Sequence, residues 1–359
     1  MKTKINVGVI GLGRLGSLYT EYLKYQIPGA NVLSVADARP GLAATVAGDH
    51  GINYPFTDYR EMLELKELDA VVIVSPTATH FEMVLAAASK GKMIFCEKPL
   101  SLSLKETSEM KEAVLKSGIF FHMGFMRRFD RGYAAAKQRI EAGEIGEPIV
   151  FKASSRDPFR PDLAYADPKM SGGLLLDMGI HDFDLARWFM GDVAEVYTVG
   201  GVLAYPEMKT IDDIDNAMVS LSFEQGGIGT ADMSRSGIYG YDIRTEILGT
   251  KGTIQIGYLR ETPITVLKKE GVIHDTVPYF MERFEQAYIT QLKDFIERAV
   301  KQEEPSVTIE DGERALLTGH AATRSLHANM PVVIQNSSMS YHVKSETEIE
   351  TEKKTLTTR

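Results

Sequence analysis

Residues 5–16 read Ile5-Asn6-Val7-Gly8-Val9-Ile10-Gly11-Leu12-Gly13-Arg14-Leu15-Gly16, an apolar run that ends in three glycines and passes into a helical pattern from Ser17 to Gln26. The order predicts strand, glycine turn and helix. That context matters, because glycines also mark tight turns that hold no ligand. Between a strand and a helix, the turn Gly11, Gly13 and Gly16, with Arg14 and Leu15 inside it, lets backbone N–H groups and the helix N-terminus approach a pyrophosphate. A second strand, Val32–Ala36, ends in Asp37, about 20 residues after Gly16, where a carboxylate can accept hydrogen bonds from ribose hydroxyls. The pair of signals predicts a dinucleotide site. A carboxylate there repels a 2′-phosphate and favours NAD, while Arg39, two residues on, can pair with such a phosphate and keeps NADP or dual use open.

Working outward, further apolar runs at Ala70–Val74, Lys92–Cys96 and Ile119–Met123 alternate with helical patterns at His80–Lys90 and Leu104–Ser117. Strands alternating with helices predict a doubly wound parallel sheet, and this α/β domain is expected over residues 1–124. Beyond Pro148 the pattern changes. Ile149–Arg156, Val193–Leu203, Ala217–Phe223, Ile228–Ser234, Arg244–Leu248 and Ile264–Leu267 read as strands, several joined by short turns such as Glu224-Gln225-Gly226-Gly227. Hairpin connections predict an antiparallel sheet, and the helical stretches Met281–Val300 and Asp311–Ala328 make residues 125–335 an α+β domain. Residues 336–359 are mostly Ser, Thr, Lys and Glu, and are expected as a mobile tail or as an arm that orders on a neighbouring subunit.

The composition bounds the function. Of 359 residues, 44% are apolar and 25% charged, an ordinary globular balance, and the length suits two domains. A net charge of −9 lacks the positive field that nucleic acid or anionic lipid requires, so neither is an expected partner. No apolar run approaches the ~20 residues of a membrane span. Lys2 and Lys4 are followed by a run broken by glycines and Arg14, which suits a strand and turn better than a secretory signal. With one cysteine, Cys96, no internal disulfide can form, and a cytoplasmic setting is expected.

Three places carry chemistry. Glu97-Lys98-Pro99 follows a parallel strand and puts a lysine where ligands of open α/β sheets lie; a surface ion pair is the plain alternative. Ser75, Thr77 and His80, the last opening a helix, are expected along the cofactor crevice with Glu97 and Lys98. Asp177 and His181, four apart in a helical run with Leu185 and Trp188, are expected to stack on one face. They are either a buried, self-satisfied pair or a proton acceptor with its orienting carboxylate. Cys96 reads as a small buried hydrophobe and His122 as core. His320 and His327 lie too far apart along a helix to share a metal easily, so no metal is assigned.

Taken together, the glycine turn, Gly91-Lys92…Glu97-Lys98-Pro99 and Gly172-Gly173…Asp177…His181 resemble the Gfo/Idh/MocA family of oxidoreductases, over nearly the whole chain to about Ile334. The resemblance implies a Rossmann domain, a second domain with a large open-faced antiparallel sheet, bound NAD or NADP, and oxidation of a sugar or polyol hydroxyl. Gly124-Phe125-Met126-Arg127-Arg128-Phe129-Asp130 and Tyr239-Gly240-Tyr241-Asp242 resemble its inositol dehydrogenase branch. By position, the resemblance implies Lys98, Asp177 and His181 as the catalytic set, converging on the reacting carbon, with Arg127 and Tyr241 facing cofactor or substrate. Where myo-inositol members carry His-Arg-Asn-Pro, this chain has Ser155-Arg156-Asp157-Pro158, which is closer to the scyllo-inositol branch. Arg127, Asp157 and Tyr241 then supply donors and acceptors to a neutral polyol. The family also implies a homotetramer or dimer. A myo-inositol 2-dehydrogenase or another sugar or polyol dehydrogenase of the same family is the alternative on this scaffold, and a dinucleotide-binding sensor without turnover is the alternative of another class.

Overall fold

In the computed structural model, which describes residues 3–257, 261, 262 and 264–357, the apolar runs of the first third assemble into one sheet. Its strands are β1 (Ile5–Ile10), β2 (Ala30–Ala36), β3 (Tyr54–Phe56), β4 (Ala70–Ile73), β5 (Met93–Glu97) and β6 (Phe121–Gly124), in the order β3-β2-β1-β4-β5-β6. Every pairing is parallel. The residues of β4 show why: Ala70, Val71, Val72 and Ile73 are all 0% exposed, and a strand with no polar face must be covered on both sides. The crossovers are α1 (Arg14–Tyr25), α2 (Leu42–His50), α3 (Tyr59–Leu63), α4 (His80–Ser89) and α5 (Leu104–Ser117). Their ends are set locally. The Ser103 hydroxyl accepts the Glu106 N–H at the start of α5, and Gly118, at φ 63°, ends it.

The first compact unit is larger than residues 1–124. It runs to Ala134 and takes in Phe284–Leu316. The reason lies in side chains that the N-terminal stretch cannot satisfy alone. Phe295 packs its ring against Phe95 at 5.6 Å and Phe120 at 5.8 Å. Asp294 Oδ2 meets His122 Nε2 at 3.1 Å, and that imidazole, fully buried as a core residue, stacks on Phe95 at 5.6 Å. Lys2 lies outside the described residues.

The second unit comprises Ala135–Arg283 and Leu317–Arg359. Its sheet is built from β7 (Pro148–Arg156), β8 (Val193–Gly201), β9 (Asn216–Phe223), β10 (Ile228–Ser234), β11 (Asp242–Gly249) and β12 (Thr253–Ile256), and from two C-terminal strands. The expectation of a purely antiparallel sheet needs one correction: β7 and β10 run parallel. Parallel neighbours need a long connection, and here helices and a strand hairpin intervene between them. Elsewhere the pairing is antiparallel, and the alternation of buried and exposed residues is clearest on β9. On β9, Ala217, Val219, Leu221 and Phe223 are buried while Met218 between them is exposed. Val199 pairs with Met218 and lies, with Ile228, on the same open face. The strand expected at Ile264–Leu267 is displaced to β13 (Val266–Lys268), paired with β14 (Gly271–Ile273) in a separate hairpin. Among the described residues no helix is long and apolar enough to cross a membrane.

The C-terminal stretch expected to be mobile is instead built into the unit. After β15 (Val332–Gln335), Asn336 is buried and its amide donates to Val193 O and Glu224 Oε1, both at 2.9 Å. β16 (Ser340–Val343) then pairs with β15, giving the order β12-β11-β7-β10-β9-β8-β15-β16. Lys344 is buried against Glu195, and a helix follows over Glu346–Thr357. Apolar content alone misses this, because the stretch is held by backbone pairing and polar side chains. A chain truncated after Gln335 is expected to lose ~2–3 kcal/mol, seen as a melting temperature lower by about 5 °C or more by circular dichroism. An unchanged melting temperature would restore the mobile tail.

Candidate active site

The sheet order reverses direction between β1 and β4, and the turn after β1 sits against the end of β4. Gly11, at φ +90°, lies so close that a Cβ would stand 2.7 Å from Ser75 N. At Gly16 a Cβ would stand 1.9 Å from Gly11 O, so this glycine is required by packing of the helix on the turn. Gly13 differs from both. Its φ is −67°, and a Cβ there would meet nothing within 4 Å. The protein itself leaves the space at Gly13 open, at a helix N-terminus with no side-chain cap and no acidic residue in its first turn. That is what a pyrophosphate approaching the N–H groups of Arg14 and Leu15 requires, and the cradle fits a dinucleotide.

Asp37 completes this half. Its carboxylate accepts the Leu12 N–H at 2.8 Å and so fixes the glycine turn to the end of β2. Arg39 clamps the same carboxylate, Nε to Oδ1 and Nη2 to Oδ2, both at 2.8 Å. The Arg39 hydrogen bonds, followed by those of backbone N–H groups, outweigh burial and hold Asp37 down at about 2. It remains a carboxylate at any ordinary assay pH. Arg39 is itself largely exposed, at 61%, so the guanidinium is free to swing without breaking a core.

Lys98 leaves the end of β5 half-buried. Its backbone N–H donates to Glu97 Oε2 at 3.1 Å. Glu97, expected toward the cofactor, is turned inward: its Oε1 receives the Tyr19 hydroxyl in a short bond and the Gln291 amide at 3.3 Å. Burial pushes its carboxyl up, against the Tyr19 bond and the Lys98 charge. Burial likewise raises the Cys96 thiol, as a small core residue would show. Ser75 and Thr77 are half-buried at the end of β4, with Ser75 receiving the Thr79 hydroxyl at 2.7 Å. His80 does not line a crevice. It is 1% exposed and both ring nitrogens face backbone carbonyls. Arg127 is 2% exposed, its guanidinium 5.8 Å from the Phe284 ring.

In the second unit the run carrying Asp177 and His181 is not one regular helix. Asp177 ends a helix over Gly173–Asp177, and His181 is the second residue of another over Ile180–Met190. At the break the Gly179 N–H reaches back five residues to Leu174 O, and the Asp182 N–H only three to Gly179 O. The four-residue spacing of Asp177 and His181 therefore runs across a junction of two helices, through Met178 and Gly179 in right-handed helical conformation, rather than along one regular helix. A Cβ at Gly179 would lie 2.6 Å from Leu175 O, which is why a glycine stands there. His181 is buried at 8% exposure.

Two residues that the sequence did not reveal hold Asp177. The Tyr165 hydroxyl donates to Oδ1 at 3.2 Å and the buried Arg235 guanidinium to Oδ2 at 3.5 Å. The Asp177 charge, then burial, push the Tyr165 hydroxyl well above its usual value, so it stays a donor. Arg235 also lies 3.9 Å from Asp213, whose carboxylate accepts the Leu174 N–H and fills the space that a Cβ on Gly173 would need. The remaining expected residues gather at one end of the sheet. Asp157 follows β7 and its N–H donates to Ser234 O, next to Arg235; Tyr241 precedes β11, whose Asp242 pairs with Arg156. The Tyr241 ring meets Tyr279 edge-on at 5.7 Å. Arg156 itself points to the open face and pairs with Asp232. Among the described residues no three His, Cys, Asp or Glu side chains are grouped to hold a metal ion.

Residues 5–125 match the NAD-binding Rossmann fold of an oxidoreductase family, and residues 137–334 match its C-terminal alpha/beta domain. Over 335 residues the chain is 42% identical to scyllo-inositol 2-dehydrogenase (NAD(+)) of Bacillus subtilis, covering 92% of this chain and 97% of that one. It is 40% identical to myo-inositol 2-dehydrogenase of Thermotoga maritima, covering 92% and 99%. Among solved structures, scyllo-inositol dehydrogenase from Lactobacillus casei with bound NAD(H) and scyllo-inositol superposes with a TM-score of 0.87 at 30% identity, covering 93% and 99%.

The glycines separate ligand space from packing. Gly13→Ala is expected to leave the melting temperature unchanged while weakening NADH binding about tenfold or more, ~1.4 kcal/mol, in a fluorescence titration. Gly16→Ala is expected to destabilise the fold by ~1–3 kcal/mol. Equal effects of the two changes on stability would mean that Gly13 serves only the turn.

Proposed function

This chain belongs to the Gfo/Idh/MocA family of oxidoreductases, and on that premise we propose that it oxidises a ring hydroxyl of an inositol to the keto-inositol with NAD, scyllo-inositol being the favoured substrate. The observation that carries this reading is the 42% identity, across almost the full length of both chains, to an NAD-dependent scyllo-inositol 2-dehydrogenase. The resemblance of Ser155-Arg156-Asp157-Pro158 to the scyllo-inositol branch supports the same choice of isomer.

Oxidation of a secondary alcohol removes a hydride from carbon and a proton from oxygen. Bound NAD, held by the turn Gly11–Gly16 and by Asp37, supplies the hydride acceptor. The chain's own residues handle the proton and the developing charge. In this reading His181 accepts the hydroxyl proton. Asp177, with Tyr165 and Arg235 on its two oxygens, orients the imidazole and offsets its charge. Lys98 donates to the reacting oxygen and stabilises its alkoxide character. Asp157, Tyr241 and Arg127 are the substrate-recognising candidates; a site of paired polar groups penalises a missing or misplaced hydroxyl, which is how stereoisomers are separated. The reading includes a cytoplasmic setting and a homotetramer or dimer. The exposed Val199, Met218 and Ile228 on one face of the larger sheet support self-association.

Absorbance at the NADH band, measured against a panel of inositols and aldoses, is expected to rise fastest with scyllo-inositol. Tight NAD binding with no polyol oxidised would favour a sensor instead. His181→Ala should lower turnover by ~10²–10⁴-fold while NAD binding survives, and near-normal turnover removes His181 from the mechanism. For the cofactor, Asp37→Ala frees Arg39 from its clamp and is expected to shift the NAD to NADP ratio of kcat/KM toward NADP by about tenfold or more. An unchanged ratio would remove Asp37 as the basis of NAD preference.

A further inference from the structure

His80 begins α4 and is 1% exposed, yet its ring is not packed as an inert core residue. Nε2 lies 2.9 Å from Ser75 O and Nδ1 lies 2.9 Å from Pro99 O. Ser75 and Pro99 follow the ends of β4 and β5, neighbouring strands that pair in parallel, on the edge of the sheet where ligands of this fold class lie. Both partners are backbone carbonyls, which only accept hydrogen bonds; a neutral imidazole donates from one nitrogen alone, so the ring joins both loops as the imidazolium, a form that burial opposes and that these two carbonyls favour. One loop carries Ser75 and Thr77; the other carries Lys98. The Lys98 residue is thus braced on both sides: its own N–H is held by Glu97 Oε2 at 3.1 Å, and the carbonyl of the next residue is held by His80.

We propose that His80 is a positioning residue for Lys98, a bolt between the loops after β4 and β5 that fixes the lysine backbone and, through Ser75, the cofactor side of the crevice. The inference rests on the reading of this chain as an NAD-dependent dehydrogenase in which Lys98 acts on the reacting oxygen. Carbonyls that lose their donor are free to turn, and a shift of about an ångström in a positioned group is enough to cost turnover ~10²-fold. The surrounding side chains do not substitute for it: Ser75 Oγ is directed to Met83 Sδ and receives Thr79, while the Thr79 hydroxyl also donates to Pro76 O.

The test uses the full-length protein with His80→Gln, which keeps one amide donor, and His80→Leu, which keeps none, each alone and with Lys98→Ala. Folding is followed by circular dichroism, cofactor affinity by NADH fluorescence, and kcat and KM with NAD and the best inositol of the panel. With one donor retained, His80→Gln is expected to lose about tenfold in kcat, and His80→Leu more, with KM for the inositol little changed and NADH binding weakened several-fold. In the Lys98→Ala background His80→Gln is expected to change kcat by less than twofold, because a residue that acts through Lys98 has nothing left to position. A structural role alone lowers the melting temperature of His80→Gln and leaves kcat per folded molecule at the unsubstituted level, which overturns the proposal. Multiplicative losses in the double variant overturn it as well. If His80→Leu does not fold, His80→Gln and the double variant decide. Should the unsubstituted protein turn over no polyol, the dehydrogenase reading fails by itself; His80 is then judged by NADH affinity, where no weakening in His80→Gln overturns the bolt.

Discussion

The hydrogen bond from the Leu12 amide to the Asp37 carboxylate, 2.8 Å long, joins the two sequence signals on which the first unit is organised. It sets the glycine turn against the end of β2, so that the helix N-terminus opens beside a carboxylate rather than away from it. The three glycines then serve three different needs. Gly11 allows the turn to touch the end of β4, Gly16 allows α1 to touch the turn, and Gly13 alone stands where the protein leaves space. A motif usually quoted as one unit is physically a division of labour between chain packing and ligand approach.

The same economy governs the second unit, where the interactions are long-range. Arg235 reaches Asp177 across 58 residues and lies close to Asp213, so one buried guanidinium ties the end of a short helix to the loop before β9. Arginine suits that place because it stays charged when buried and can face two carboxylates. The Tyr165 hydroxyl donates to the other Asp177 oxygen from an element of only four residues. Asp177 is therefore a fixed acceptor, positioned by side chains with no local relation to it in sequence.

How much of this could be read beforehand follows from where each signal is stored. The strand, turn and helix of residues 5–25, the position of Asp37 and the placing of Lys98 after β5 were legible, since each is written within a few residues of backbone pattern. The Asp177–His181 run was legible as helical, while its break carries only one local sign, Gly179 inside the helical pattern. Tyr165, Arg235 and the double role of the His80 ring had no local signature, because each depends on a contact made only once distant segments meet. The stretch after Gln335 misled for a related reason. Apolar content predicts what buries itself, whereas Asn336 and Lys344 are buried by polar pairing.

The segment Phe284–Leu316 gives the first unit an order of assembly in time. Tyr19 and Glu97 are made early on the ribosome, but Gln291, which donates to both, follows Glu97 by 194 residues, and the Asp294 that meets His122 follows it by 172. Until then the Tyr19 phenol and the Glu97 carboxylate have each other but not the Gln291 amide, and the His122 imidazole has no Asp294 to meet. The nucleotide half of this protein, although it begins at the N-terminus, is therefore completed only after strands β7–β12 of the other unit have been synthesised, and that unit in turn waits for β15 and β16, so neither is finished before the other is well under way.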